Sequence, residues 1–352
     1  MNSGKNRYLN KLGQLVEMSV KMGTMVDYVQ AGGGNTSVKF EDGYMAIKAS
    51  GYLLKEMTAH SGFVAVDAKA MKAYHEKEHR ETEDCNKEAM TQAMASIRQI
   101  NGEKKARPSV EVGFHSLLDT FVLHLHPVYV NVLMCAEHGT ERAVQIAEKA
   151  GLAATAVPYS MPGYGLTKLV LRAKEVYEEK TGKMPEVVFL KNHGVITTAA
   201  TGEEAVRLMD QVNSAIGETL LLPVMPQTGI EPWQDGYRST CAWLSEALGE
   251  EPDLIRAIRF EPVYPDQLVY TANELDSEET GSGKIFVSNG HFCYRAGEKE
   301  AKALDETMVA LTYIYYYIKK LGFSYERLTP EECAEVLGWD SEKYRKSIMA
   351  EV

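Results

Sequence analysis

The sequence predicts an α/β fold with a sheet that is at least partly antiparallel. Three observations predict it. Short apolar runs rich in β-branched residues, such as FVLHLHPVYV and VVFLKNHGVIT, have the length of buried strands. Longer segments with apolar residues at helical spacing alternate with them. Two strand-like runs, TSVKF and GYMAIKAS, are joined by a short turn through Asp42-Gly43, which an antiparallel pair allows.

The elements follow in order. Leu9, Leu12, Val16 and Val20 mark a helix over about Tyr8–Met22. AGGGNTSVKF is a glycine-rich loop running into a strand, and GYMAIKASGYLL is a second strand ending in Ser50-Gly51. Lys69 to Lys105 is highly charged and interrupted, either a helix with solvated flanks or an insertion; its Lys77–Asp84 run reads as exposed surface. ARPSVEVGFHSLLDTF reads as a helix with Pro108 in its first turn and Val112, Leu117 and Leu118 facing inward. The HLHP strand follows directly. A helix over about Glu141–Lys149 and the turn-rich VPYSMPGYGL come next. A helix near Lys168–Lys180 then leads to the single strand VVFLKNHGVIT. Thr201 offers an N-cap to a long amphipathic helix, with an acidic residue at the third helical position.

After Met225 the turn-rich PQTGIEPWQDG marks a boundary. KIFVSNGHFCYR reads as a hairpin with a type I′ turn at Asn289-Gly290. A helix from about Glu298 to Leu321 follows, with Leu304, Met308, Leu311, Tyr315 and Ile318 on one stripe and Gly322 as the residue that ends it. Thr329, Pro330 and Glu332 open a last short helix.

A chain of 352 residues can bury one large core, or a core with a substantial extension. The net charge of −11 argues against nonspecific nucleic-acid or anionic-membrane partners. The five cysteines are scattered and odd in number, and the N-terminus has no signal-like apolar run, so the chain reads as cytoplasmic. No apolar run reaches membrane-spanning length.

Of nine histidines, three carry the chemistry. His124 and His126 stand at i and i+2 of a strand and project to one face, with Leu125 and Pro127 on the other. Such a pair is half of a divalent-metal site. His193, from the end of another strand, would complete three ligands and leave positions open for substrate, as in catalytic zinc sites. His60, His75, His79, His138 and His291 sit in polar or turn-like stretches without a partner at ligand spacing. His115, one helical turn after Glu111, reads as structural. The loop Gly32-Gly33-Gly34-Asn35-Thr36-Ser37 and the Ser50-Gly51 turn can aim backbone N–H groups at an anion. Glu111, just before the HLHP strand, can shuttle protons beside a bound dication.

In this order, GGNTS, KASG, PSxE, HxHP and NHG resemble the motifs of the class II aldolase/adducin family over roughly residues 8–222. Within that family the chain is similar to sugar-phosphate aldolases of the fuculose and rhamnulose type. The resemblance implies a three-layer α/β/α domain with a largely antiparallel central sheet over residues 1–224. A C-terminal α+β extension, residues 225–352, would pack on it; its YPDQLVY and hairpin-to-helix segment look like the extension of longer members. It implies Zn²⁺ on His124, His126 and His193, with Mn²⁺ or Co²⁺ as alternatives that three imidazoles also accept. It implies a substrate phosphate held by Gly34, Asn35, Ser50, Gly51, Ser109 and Val110, and Glu111 as the catalytic residue. Val110 departs from the second hydroxyl residue often found there, so only its backbone N–H is left to donate.

The activity so implied is reversible cleavage of a ketose 1-phosphate to dihydroxyacetone phosphate and an aldehyde, in a homotetramer. A pentulose-phosphate 4-epimerase or a sugar-phosphate dehydratase of the same family is the alternative. The counterpart of Glu111 in the epimerases is usually an aspartate, which favours the aldolase or the dehydratase. A non-catalytic assembly module of the adducin kind is the alternative of another class. The resemblance also implies an acid for the second half-reaction, often a tyrosine, for which Tyr159, Tyr164, Tyr313, Tyr315, Tyr316 and Tyr317 are candidates; none is assigned, since tyrosines on a buried helix mostly pack.

Overall fold

The computed structural model describes residues 2–77, 85–98, 106–271, 274–276 and 281–338. Helix α1 (Asn2–Gly23) opens the chain, and the glycine-rich loop leads into β1 (Asn35–Lys39), β2 (Tyr44–Lys48) and β3 (Phe63–Asp67). Then come α2 (Ala68–Glu76), α3 (Cys85–Ala95), the short β4 (Ile97–Arg98) and α4 (Val112–Leu117). The central strand β5 (Phe121–Leu125) is followed by α5 (Val128–Met134), α6 (Gly139–Lys149), β6 (Ala154–Val157) and α7 (Tyr164–Thr181). The hairpin β7 (Val187–Leu190) and β8 (Gly194–Ala199) and helix α8 (Gly202–Thr219) complete this part.

Among the described residues these strands form one eight-stranded sheet, ordered β4-β3-β2-β1-β5-β8-β7-β6. Every adjacent pair is antiparallel except β6–β7, which is parallel. The sheet is therefore mixed. Strand alternation gives each face its own core. Leu123 and Leu125 pack with Leu12 and Leu15 of α1 and Leu208 and Val212 of α8. Val122 faces the other way, with Phe114, Leu166, Val170 and Ile196. Helices cover both faces.

From residue 225 the chain builds a second sheet and more helices. Strands β9 (Ile230–Trp233) and β10 (Gly236–Ser239) form a hairpin, followed by α9 (Trp243–Glu250), α10 (Leu254–Phe260) and α11 (Pro265–Thr271). The hairpin β11 (Ile285–Ser288) and β12 (His291–Tyr294) joins it in the order β11-β12-β10-β9. Helices α12 (Glu298–Lys320) and α13 (Pro330–Gly338) end the described chain. The buried face of α12 shares a core with Val128, Val132 and Cys135 of the first part. Among the described residues no helix is long and apolar enough to cross a membrane.

Several local signals place elements as expected. The Thr201 side chain caps α8 by accepting from the Glu204 N–H. Asn289 and Gly290 both have positive φ (51° and 76°), as a type I′ turn requires. Thr329 and Glu332 form a reciprocal capping box at α13.

Other expectations are corrected. VVFLKNHGVIT is not one strand but the hairpin β7–β8, turned through Lys191, Asn192 and His193, with Asn192 at φ 52°. Asparagine tolerates that left-handed backbone, so a continuous apolar pattern concealed a turn. Helix α4 begins only at Val112; Pro108 lies in an extended bridge to Ala49 instead. PQTGIEPWQDG holds strand β9 rather than only turns. The charged segment from Lys69 contains α2, α3 and β4, while 78–84 and 99–105, with His79, fall outside the described residues. His75, read as lying in a polar stretch, is buried in α2.

Candidate metal centre

Because β5 alternates, His124 faces the same side as Val122, and His126 follows on that side just past the strand end. In the β1–β5 register His124 stands opposite Asn35, and in the β5–β8 register opposite Ile196. The β7–β8 turn brings in His193. One ring nitrogen from each of the three imidazoles lies within 4.8 Å of the other two, and all three residues are buried. The three histidines singled out by their spacing therefore converge.

Hydrogen bonds at the back of two rings set their tautomers. His124 Nδ1–H donates to Val195 O at 3.1 Å. His126 Nδ1–H donates to Asp266 Oδ2 at 2.5 Å. With the proton on Nδ1, each ring turns an Nε2 lone pair forward. Those two Nε2 atoms are 3.2 Å apart. Two lone pairs facing each other at that distance repel unless a cation lies between them. Zn–N bonds of about 2.0–2.1 Å in a tetrahedral set put the nitrogens about 3.3 Å apart. The donor set thus fits a divalent transition-metal ion.

Glu111 sits beside this triangle at the N-terminal edge of α4 and is buried. Its Oε1 is 3.5 Å from His193 Nε2 and accepts no hydrogen bond. Its Oε2 accepts from Asn35 Nδ2 at 2.6 Å and lies 3.5 Å from His124 Nε2. A directed chain stands behind it. Ser37 Oγ–H donates to His115 Nδ1 at 2.7 Å, and His115 Nε2–H donates to Asn35 Oδ1. His115 is structural, as expected, and its function is to fix the Asn35 amide so that Nδ2 points at the carboxylate.

Burial holds the His115 imidazole well below its ordinary value, helped by Lys39 and His124. Burial likewise holds His124 down at about 4. Both rings are neutral in the fold at pH 7, but the unfolded chain protonates them below about 6.5. The unfolded state then binds more protons, so stability is lost as pH falls. The metal-free chain is expected to lose stability as pH falls below about 6.5, the His124 share levelling off near pH 4. Urea unfolding at pH 7.5 and 5.5 measures this; equal stability at both would contradict it.

The cleft in front of the histidines is lined by Gly34, Asn35, Ser50, Ser109, Val110, Glu111, His126 and His193. His124 lies behind them, fully buried. Gly51 does not line it; at φ 88° it completes the turn after Ser50. Two polar lining residues were given no role from the sequence. Lys48 is buried, with its Nζ donating to Gly32 O at 3.2 Å. A lysine inside the apolar run YMAIKAS was the available signal. Asp266 comes from α11, 140 positions beyond His126, and no spacing rule reaches that far. Val269 and Val336 also line the cleft from the extension. The tyrosines of α12 pack away from it: Tyr313 donates to Pro223 O and Tyr315 to Glu261 O.

The family model described as the Class II Aldolase and Adducin N-terminal domain matches residues 13–218. Among solved structures, the N-terminal class II aldolase domain of a conserved protein from Thermoplasma acidophilum is 24% identical (TM-score 0.48), over 59% of this chain and 92% of that one. YgbL from Klebsiella pneumoniae is 20% identical (TM-score 0.41), over 61% and 92%. An L-fuculose 1-phosphate aldolase is 18% identical (TM-score 0.42), over 60% and 85%. A search of curated proteins returned no match. The sequence match covers more than half of the 352 residues, and the chain belongs to the class II aldolase and adducin family.

Proposed function

We propose that this protein is a metal-dependent aldolase that reversibly cleaves a ketose 1-phosphate to dihydroxyacetone phosphate and an aldehyde. One observation carries the reading: three imidazoles converge, those of His124 and His126 with their Nε2 lone pairs forward, and a buried carboxylate stands beside them. His124, His126 and His193 would hold the ion, taken as Zn²⁺. When bound, such an ion supplies Lewis-acid polarisation of a substrate carbonyl.

The chain's own residues supply the rest. Glu111 Oε2 is engaged by Asn35, so Oε1 is the oxygen left to exchange a proton with the substrate carbon. For that it must come within one hydrogen bond, or one water, of the carbon that turns nucleophilic. Cleavage breaks the C3–C4 bond: the C4 hydroxyl gives its proton up to solvent as C4 becomes the aldehyde carbon, and C3 takes a proton delivered through Glu111, which solvent restores. The reading assigns the phosphate to Gly34, Asn35, Ser50, Ser109 and the backbone N–H of Val110, with Gly51 closing the turn that presents Ser50. Lys48 adds a buried amine donor on the same wall. The reading also takes residues 1–224 as the catalytic unit and 225–352 as an extension packed on it. It includes a cytoplasmic setting, a homotetramer, and no nucleic-acid or membrane partner.

A panel of ketose 1-phosphates, incubated with the metal-loaded chain, tests the reaction. Dihydroxyacetone phosphate and an aldehyde should appear in equal amounts. An epimerised ketose phosphate, or a dehydrated product, would move the assignment within the family. No turnover of any phosphorylated ketose by the metal-loaded chain would contradict the aldolase.

A further inference from the structure

We infer that Asp266 is a positioning residue for the metal site, and that the extension therefore helps to build that site. The inference rests on the metal-site reading above and adds a residue to it. His124 and His126 each need an acceptor behind Nδ1. For His124 the acceptor is local, the Val195 carbonyl of the neighbouring strand. His126 lies past the end of β5, where no strand carbonyl takes that place; its acceptor is the Asp266 carboxylate, 2.5 Å away, with both residues buried. A carboxylate behind a ligating imidazole fixes the ring's orientation and raises its basicity.

Asp266 is itself firmly held. Its neighbour Gln267 accepts from Val263 N–H and donates to Ile258 O, and Tyr315 Oη–H donates to Gln267 Oε1. The same stretch also steadies the third ligand. Asn192, at the left-handed corner before His193, donates from Nδ2 to Val263 O at 2.7 Å and to Glu326 O at 2.6 Å. The glycine-rich loop is clasped from the same side. Tyr270 Oη accepts from Gly32 N–H, and Glu306 Oε2 accepts from Ala31 N–H. Gly33 leaves room for the key pair: a Cβ there would lie 3.0 Å from Asp266 Oδ2 and 3.4 Å from His126 Nδ1. Two ligands and one wall of the cleft are thus set by residues beyond 225.

The test uses the full chain. Zn²⁺ affinity is measured by competition with a chromophoric chelator, and the visible spectrum of the Co²⁺-loaded protein is recorded. Wild type, D266N, D266A and H126A are compared. Both Asp266 variants should bind Zn²⁺ about 10- to 100-fold more weakly, D266N the less affected because an amide oxygen can still accept. Both should shift the Co²⁺ bands. Should an Asp266 variant not fold, G33A presses a methyl on the same pair and should also weaken binding. Wild-type affinity and Co²⁺ spectrum in D266A would overturn the inference while leaving the metal site standing. A lowered melting temperature of metal-free D266A with unchanged Zn²⁺ affinity would reduce Asp266 to a structural role and overturn it too. Wild-type protein that binds no ion, or H126A that binds as tightly as wild type, would bring down the metal-site reading itself.

Discussion

Glu111→Gln is expected to keep its metal and lose turnover by about 10²- to 10⁴-fold, the range that a positioned acid or base contributes. The substitution preserves shape. A glutamine oxygen can still accept from Asn35 Nδ2, so the Ser37–His115–Asn35 chain stays intact behind it. What it removes is the ability to hold and return a proton at the position of Oε1. The measurements are initial rates with saturating substrate and metal content by mass spectrometry on the same sample. Zinc lost together with activity would make Glu111 a ligand, since its oxygens lie only 3.5 Å from His124 and His193 nitrogens. Unchanged turnover would remove it from both roles.

His193→Ala is expected to weaken metal binding by more than about 100-fold, beyond the range for residues that act only through a ligand. Activity should fall to background with it. The backbone of this turn does not depend on the imidazole. Asn192 N–H donates to Met134 O at 2.9 Å, and its side chain is anchored to Val263 O and Glu326 O. The variant should therefore fold, with a circular-dichroism spectrum like the parent's. Equilibrium dialysis against buffered Zn²⁺ reads the affinity. Wild-type affinity in this variant would mean that His193 is not a ligand.

Much of this site was legible because strand geometry is local. The two-residue spacing of His124 and His126 puts both on one face whatever the rest of the chain does. Thr201, Asn289-Gly290 and the stripe on α12 were readable for the same reason, since caps, primed turns and helical periodicity are written in neighbouring residues. Long-range features were not. His193 was expected at a strand end, yet the chain turns through it, because an apolar run on both sides of Asn192 looks like one strand until pairing is known. Strands β3 and β6 were passed over, and β6 brings the single parallel pairing among the described strands. Lys48 stood inside the KASG motif with no role assigned, and only the fold buries it against Gly32. Asp266 carried no local mark at all. Its role exists only because α11 packs over the end of β5, and pairwise packing of distant segments is the information that one sequence does not display.

The central claim is tested most directly by metal content. The wild-type chain, stripped with chelator, reloaded with excess Zn²⁺ and freed of unbound ion by gel filtration, is analysed by mass spectrometry. One zinc per polypeptide is the predicted result. Retention of none, by protein shown to be folded, would contradict it.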